Sequence, residues 1–322
     1  MRARFREALS PLFKKVRSKF AIDIGNKPGT VSDQGAQTPT ASDRSEFGIA
    51  KTDYGHMIAY KSDKVIGQSL LLHGSFQERQ IKEVNQFLIR SFGFQPTTFL
   101  DIGANIGTHV IHAVQTGQFS LGIAIEPDFN NFNLLRCNIL LNQAEEKIRP
   151  FRIALSDNSE PIILELSPGN FGDHRIRTKT DHLSPSIDDE QMRETSTVPS
   201  ATLDDFLEAQ QPDLATTLIW MDTQGHEGHI MSSGKKALAN GACYIVSEFW
   251  PYGLERSGGK RNLFDFLGSC HYIYDTRCDS WEDNVPLTLE QLESLYQEML
   301  ADTRKDYHPH TDLLLIRQST PK

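Results

Sequence analysis

Cysteine is scarce in this chain: four residues in 322, Cys137, Cys243, Cys270 and Cys278. None forms a CxxC pair, so a zinc site is disfavoured. Their spacing offers no disulfide framework, which points to a reducing compartment, the cytoplasm. Long apolar runs are missing too. Nothing approaches the ~18 residues of a membrane span. The N-terminus is basic but has no apolar signal-peptide core. Positive charge is in deficit, with a formal net charge of −9. A general nucleic-acid binder needs a basic face, so that class is disfavoured. Apolar residues, at 38%, are lean but sufficient for a sizeable core.

The first segment, residues 1–24, differs from the rest. Within its first twenty residues Arg2, Arg4, Arg6, Lys14, Lys15, Arg17 and Lys19 face one acid, Glu7. Phe5, Leu9, Leu12, Phe13, Val16 and Phe20 recur at helical spacing, so one face is apolar. Residues 1–20 thus read as a helix for a membrane surface or a protein partner, as a transit peptide, or as a basic tail resting on an acidic body. Residues 25–45 have linker composition. Residues 46–98 form an extension: short strands and turns over Phe47 to Leu72, including VIGQSLLL, then a helix from Gln77 to Phe92.

From 99 to 318 a rhythm holds. Near-continuous apolar strands (TFLDIG, LGIAIEP, RPFRIAL, TLIWMD, ACYIVSEF, HYIYD, TDLLLIR) alternate with helices. The helices are Ile106 to Val114, Asp128 to Asn142 with Phe129, Phe132, Leu135 and Ile139 inward, His229 to Ala239, and Lys260 to Leu267. That pattern means an α/β fold, with a mostly parallel, doubly wound sheet covered on both faces. An insertion, 156–212, follows the third strand. PIILELS within it reads as a strand, and 178–200 as a polar surface loop.

Ligands of such sheets bind beyond the strands' carboxyl ends, at the switch point. FLDIGANIGTHV, Phe99 to Val110, puts a glycine turn there. Glu126 ends the next strand, 23 residues after Gly103, where an acid accepts two hydrogen bonds from a ribose diol. The turn is not GxGxxG, and it begins with Asp101. A carboxylate repels a pyrophosphate but favours a cationic, phosphate-free nucleoside. S-adenosylmethionine is such a ligand: ribose, ammonium and sulfonium, without phosphate.

DIGANIG, IAIEPDFNNFNLLRCNILLN, ALSD, NFGDHRIR, ATLDDFL and WMDTQGHEG follow one another here in a way that resembles the FkbM-type S-adenosylmethionine-dependent methyltransferases. The resemblance spans roughly 81–250. It implies a class I methyltransferase (Rossmann-like) fold with a seven-stranded sheet. It also implies O-methylation of a hydroxyl on a sugar, glycolipid or small metabolite, with S-adenosylhomocysteine as product. By resemblance, Asp101, Gly103, Asn105 and Gly107 line the methionine end and Glu126 holds the ribose. Ser156 and Asp157 sit near adenine, although SDNSE also suits an ordinary turn.

WMDTQGHE, Trp220 to Glu227, follows the fourth strand, which in this fold faces the transferred methyl. A hydroxyl acceptor must be aligned and lose its proton. His226 is one candidate base, with Asp222 or Glu227 orienting it; Glu227 also suits a helix cap. Asp222, at the strand end, is the stronger functional candidate. His174, in NFGDHRIR, is a second candidate base or contact. Arg175 and Arg177 suit an acidic acceptor or surface acids. Glu248, Trp250 and Tyr252 in SEFWPYGLE stand at the same rim. Asp222 suits a metal, but no clear second and third ligand stands at suitable spacing, so a metal stays open and is not predicted. Two rival classes are a non-catalytic scaffold and a nicotinamide-dependent oxidoreductase, the latter disfavoured by the missing GxGxxG.

Overall fold

The structure, a computed structural model, describes residues 46–177, 193–239, 241–302 and 308–318. The basic segment, the linker and most of the 178–200 loop lie outside the described residues. The chain opens with the hairpin β1 (Phe47–Thr52) and β2 (Gly55–Tyr60), then α1 (Ile66–His73) and α2 (Glu78–Phe92). Next come β3 (Thr98–Ile102), α3 (Thr108–Gln115), β4 (Leu121–Ile125), α4 (Phe129–Leu141) and β5 (Ile148–Phe151). The insertion supplies β6 (Ala154–Leu155), β7 (Ile162–Leu166), β8 (Arg175–Ile176), β9 (Glu194–Val198), β10 (Ser200–Ala201) and α5 (Leu203–Gln210). Then follow β11 (Thr217–Met221), α6 (Glu227–Ser233), α7 (Lys235–Ala239), β12 (Cys243–Phe249), α8 (Pro251–Ser257), α9 (Lys260–Leu267), β13 (Tyr272–Asp275), α10 (Leu289–Ala301) and β14 (Thr311–Arg317).

Seven strands form the main sheet in the order β13-β14-β12-β11-β3-β4-β5. β3, β4, β5, β11 and β12 are parallel, and β14 runs antiparallel to both its neighbours. Every residue of β3, β11 and β12 is buried. Alternate side chains feed opposite cores: Phe99, Leu218 and Trp220 one, Leu100, Ile219 and Met221 the other. Each fully buried Leu or Ile there contributes about 2 kcal/mol. The chain winds outward from β3 to β5 and then returns to β11, so the switch point lies between β3 and β11.

Three local expectations are corrected. VIGQSLLL is helical, not extended, because Asp63 satisfies the helix start: its Oδ1 accepts from Val65 N–H at 3.1 Å and its Oδ2 from Gly67 N–H at 3.0 Å. Phe129 points outward, 56% exposed, because Asp128 caps α4 and sets its phase. The helix expected from His229 to Ala239 is two, α6 and α7, parted at Gly234. A Cβ at Gly234 would lie 2.6 Å from Leu203 Cδ2.

The hairpin is fixed to α4 by side-chain amides. Asn138 Oδ1 accepts from Ile58 N–H at 2.7 Å, and its Nδ2 donates to the carbonyls of Ile58 (3.1 Å) and Ile106 (2.9 Å). One turn on, Asn142 Oδ1 accepts from His56 N–H at 3.0 Å and Nδ2 donates to the His56 carbonyl at 2.7 Å. Residues one helical turn apart are spaced much like alternate strand residues. The two amides therefore pair with β2 as a further strand would.

Candidate functional site

A cavity occupies the crevice at the carboxyl ends of β3, β4 and β11. Its floor begins at Gly103, at φ +92°. A Cβ there would lie 1.8 Å from the Asp222 carbonyl oxygen, so only glycine lets the turn pass the end of β11. Asn105 follows at φ +50°. Its Oδ1 accepts from Ile106 N–H at 2.7 Å, the local bonding that lets asparagine adopt this region. Its Nδ2 donates to the Phe171 carbonyl at 2.8 Å, and Asn131 Nδ2 donates to the same oxygen at 2.9 Å.

That carbonyl ties down a roof. The insertion's antiparallel sheet, β8-β7-β9, lies over the crevice, and Leu164, Phe171, Gly172, His174 and Ile176 line the cavity from it. The Phe171 ring meets Tyr60 of β2 edge-on at 5.1 Å, and Lys64 N–H donates to the Gly169 carbonyl at 3.0 Å. Hairpin and insertion thus brace each other above the floor. His174 Nδ1 accepts from Ser167 N–H at 3.0 Å, and its Nε2 stands 3.9 Å from Asp128.

Glu126 is 5% exposed and lines the cavity. Its Oε2 accepts from Asn105 N–H at 2.9 Å and its Oε1 from Asp128 N–H at 2.8 Å. Each oxygen keeps acceptor capacity for a further donor. Burial, aided by the Asp128 charge, raises the carboxyl to about 8 despite these bonds. Among the described residues, no lysine or arginine lines the cavity.

At the other end Asp222, following β11, also lines the cavity. Its Oδ1 accepts from Gln224 Nε2 at 2.7 Å, and the same nitrogen lies 3.3 Å from Glu248 Oε1. Glu248, next to last in β12, stands opposite Asp312 across the β12–β14 pair. Asp312 Oδ2 accepts from Gln80 Nε2 at 2.8 Å. Burial and the Asp312 charge raise Asp222 to about 6, with Gln224 opposing. Burial and the surrounding acids push Glu248 well above the usual carboxylate range. Among the described residues no group of three or more His, Cys, Asp or Glu is arranged to hold a metal ion.

The structure gathers Gly103, Asn105, Glu126, His174 and Asp222 around the cavity and turns other candidates away from it. Asp101 accepts from Val110 N–H at 3.2 Å, facing α3; burial raises it to about 8. Gly107 is needed for packing: it has φ +93°, and a Cβ would lie 2.6 Å from Leu135 Cδ1. His226 is not among the residues that line the cavity. Its Nε2 bonds Ser156 Oγ at 2.9 Å, and burial holds it down at about 3. Ser156 and Asp157 stand just beyond Leu155, which does line the cavity. Glu227 binds its own loop, accepting from Thr223 N–H and Oγ1, both at 2.8 Å.

Arg175 and Arg177 meet internal acids rather than the cavity. Arg175 Nε donates to Asp173 Oδ1 at 2.6 Å, and its guanidinium lies 4.6 Å from the Trp250 ring centre. Arg193 also donates to Asp173, at 2.6 Å. Arg177 and Arg256 share Glu165. The network joins the roof to α8.

A family model described as the methyltransferase FkbM domain matches residues 101–274. Solved structures resemble the chain distantly. Methyltransferase FkbM from Methylobacillus flagellatus KT is 15% identical, with a TM-score of 0.40 and coverage of 72% of this chain and 47% of that one. The chain therefore spans about half the length of that protein. M. jannaschii TYW2 in complex with AdoMet is 12% identical (TM-score 0.39, 85% and 87% covered). Precorrin-6y C5,15-methyltransferase from Geobacter metallireducens GS-15 is 11% identical (TM-score 0.33, 74% and 88%). No curated protein matches the chain. No helix among the described residues is long and apolar enough to cross a membrane.

Proposed function

The chain belongs to the FkbM methyltransferase family, and from that premise we propose that it transfers a methyl group from S-adenosylmethionine to a hydroxyl of a sugar, glycolipid or small metabolite. One observation carries the cofactor reading. The cavity holds two carboxylates, buried Glu126 and half-buried Asp222, with raised affinity for protons and, among the described residues, no lysine or arginine lining it beside them. Such carboxylates are completed by a cationic ligand and oppose a phosphate.

The residues fit the group in three ways. Glu126 keeps acceptor capacity on both oxygens, which suits a ribose diol. Ile153, Leu155, Leu164 and Ile176 offer apolar surface to a base. Gly103 allows the backbone close approach. When bound, the cofactor supplies a methyl already activated on a sulfonium.

The protein's tasks are then to align an acceptor oxygen and take its proton. Asp222 is the group we assign to the proton. Its value of about 6 leaves it ionised near neutrality yet more basic than an ordinary aspartate. Gln224 orients it. Glu248 and Asp312, at the same rim, suit an acceptor that donates several hydroxyl hydrogen bonds. His174 remains a candidate contact on the roof. Calorimetry with S-adenosylhomocysteine tests the cofactor; no heat and no thermal shift would sink it. Methyl incorporation from labelled S-adenosylmethionine into a panel of free sugars, glycolipids and amines tests the acceptor class. Transfer only to amines would refute the hydroxyl assignment.

A further inference from the structure

Hydrogen bonds close a buried ring between the cavity carboxylate Glu126 and the roof. On one side Glu126 Oε2 accepts from Asn105 N–H at 2.9 Å, and Asn105 Nδ2 donates to the Phe171 carbonyl at 2.8 Å. On the other side Glu126 Oε1 accepts from Asp128 N–H at 2.8 Å and Asp128 Oδ1 from Asn131 N–H at 2.9 Å. Asn131 Nδ2 then returns to the same Phe171 carbonyl at 2.9 Å. A carbonyl oxygen has two lone pairs, so it accepts both amides. Asn105, Glu126, Asp128 and Asn131 are all buried, so a bond that opens here is not replaced by solvent. The tip that carries the carbonyl, residues 167–174 between β7 and β8, is folded on itself. Ser167 N–H donates to His174 Nδ1 at 3.0 Å, Gly172 N–H to Asn170 Oδ1 at 3.1 Å, and Asp173 N–H to the Asn170 carbonyl at 3.0 Å. Holding one carbonyl therefore holds the whole tip, including Gly172 and His174 of the cavity lining.

Resting on the S-adenosylmethionine reading above, we propose that Asn105 and Asn131 are positioning residues that latch the roof when the ribose engages Glu126, so that the roof is fixed over the acceptor only once the cofactor is in place. A diol donating to Glu126 fixes the carboxylate, and with it the N–H groups of Asn105 and Asp128. Asn105 stands at φ +50°. Its Oδ1 supports that backbone through Ile106 N–H, and its Nδ2 holds the roof. When the Phe171 carbonyl withdraws, two buried amides lose their acceptor. Asn105 then relaxes from the left-handed region and takes its N–H away from Glu126. The latched roof and the ligand-ready carboxylate are thus one state, and a ligand that prefers this state favours both. By linkage, whatever fastens the roof also tightens cofactor binding. Lys64 N–H on the Gly169 carbonyl and the Tyr60 ring against Phe171 support the tip from outside the cavity. They keep it near its place while the latch is open.

Hydrogen exchange read by mass spectrometry on the full-length protein, with and without S-adenosylhomocysteine, tests the latch, and calorimetry gives Kd in parallel. In the wild type, saturating ligand should slow exchange of the 167–174 amides about tenfold. Asn105→Gly removes the side-chain tie but keeps the main-chain N–H to Glu126, at a φ that glycine adopts freely. Asn131→Ala removes the second tie. Each variant should still bind, with Kd raised about fivefold, as expected for one lost hydrogen bond. At saturating ligand each should lose most of the slowing in the tip, while exchange in β3 and β11 stays as in the wild type. A wild type that binds the ligand without slowing in the tip overturns the proposal, and this arm needs no variant to fold. Equal slowing in the wild type and both variants also overturns it, since the ligand would then shield the tip directly. A variant with raised Kd and wild-type slowing would mark a merely structural role and overturn the latch. A wild type that binds no ligand would instead overturn the cofactor reading, and this proposal with it.

Discussion

Gln224 donates its side-chain amide to Asp222 at 2.7 Å from a backbone held at φ +55°. A non-glycine residue in that region stores strain of order 1 kcal/mol, and here the strain sets one donor between two carboxylates. Gln224→Ala removes it. We expect the Asp222 titration midpoint to rise from about 6 to about 7, since a hydrogen bond to a charged group contributes about 1.5 kcal/mol. Carbon-13 NMR of the labelled carboxyl reads this directly. An unmoved or lowered midpoint would remove Gln224 from its orienting role.

Glu126 is the residue on which ligand binding rests most heavily. Glu126→Ala deletes two acceptors and frees the Asn105 and Asp128 N–H groups they hold. The Kd for S-adenosylhomocysteine should rise at least about tenfold, and Glu126→Gln should fall between. Calorimetry on variants checked for folding decides; a Glu126→Ala variant with wild-type affinity would disprove the ribose assignment.

Stability should fall between pH 6.5 and pH 8. Asp101 and Glu126, raised to about 8, and Asp222, raised to about 6, bind protons more tightly when folded. Their contribution is complete below the unfolded values of 3.8 and 4.5 and is lost as pH rises through the folded ones. Buried histidines act oppositely. His109 and His112, lowered to about 4, and His226, lowered to about 3, contribute fully above 6.5 and lose that contribution as pH falls. Thermal melts across this range should show the fall, and Asp101→Asn should flatten it. A Tm that climbs steadily from pH 6.5 to 8 would contradict the assignment.

Asn138→Ala should destabilise the fold by about 3 kcal/mol. It deletes three hydrogen bonds and strands buried groups of Ile58 and Ile106. Denaturant unfolding measures it, and a loss under about 0.5 kcal/mol, the range of surface changes, would show that the hairpin docks by other means.

The sheet was legible because its strands are buried on both faces and read as unbroken apolar runs; TLIWM is wholly buried. Glu126 was legible because strand, helix and strand fix its distance from the glycine turn. α1 was not: IGQSLLL has no decisive period, and the deciding group, Asp63, precedes it. The roof contact was invisible in principle, since the acceptor is the Phe171 main-chain carbonyl, which carries no residue code. Asp222, Glu248 and Asp312 come together from three strands distant in sequence. The partner of His226 was not legible either, because the turn at Gln224 and Gly225, both at positive φ, aims it at Ser156, a residue distant in sequence.

The amide pairing of Asn138 and Asn142 with β2 also bears on how the molecule behaves among its own copies. An open strand edge is a template for pairing with a second chain. β1 closes one edge of β2, and the two asparagines occupy the N–H and carbonyl groups of His56 and Ile58 on the other. The hairpin's inner strand therefore offers no ladder for another polypeptide to extend. Two helical side chains thus close that edge of β2 to strand addition.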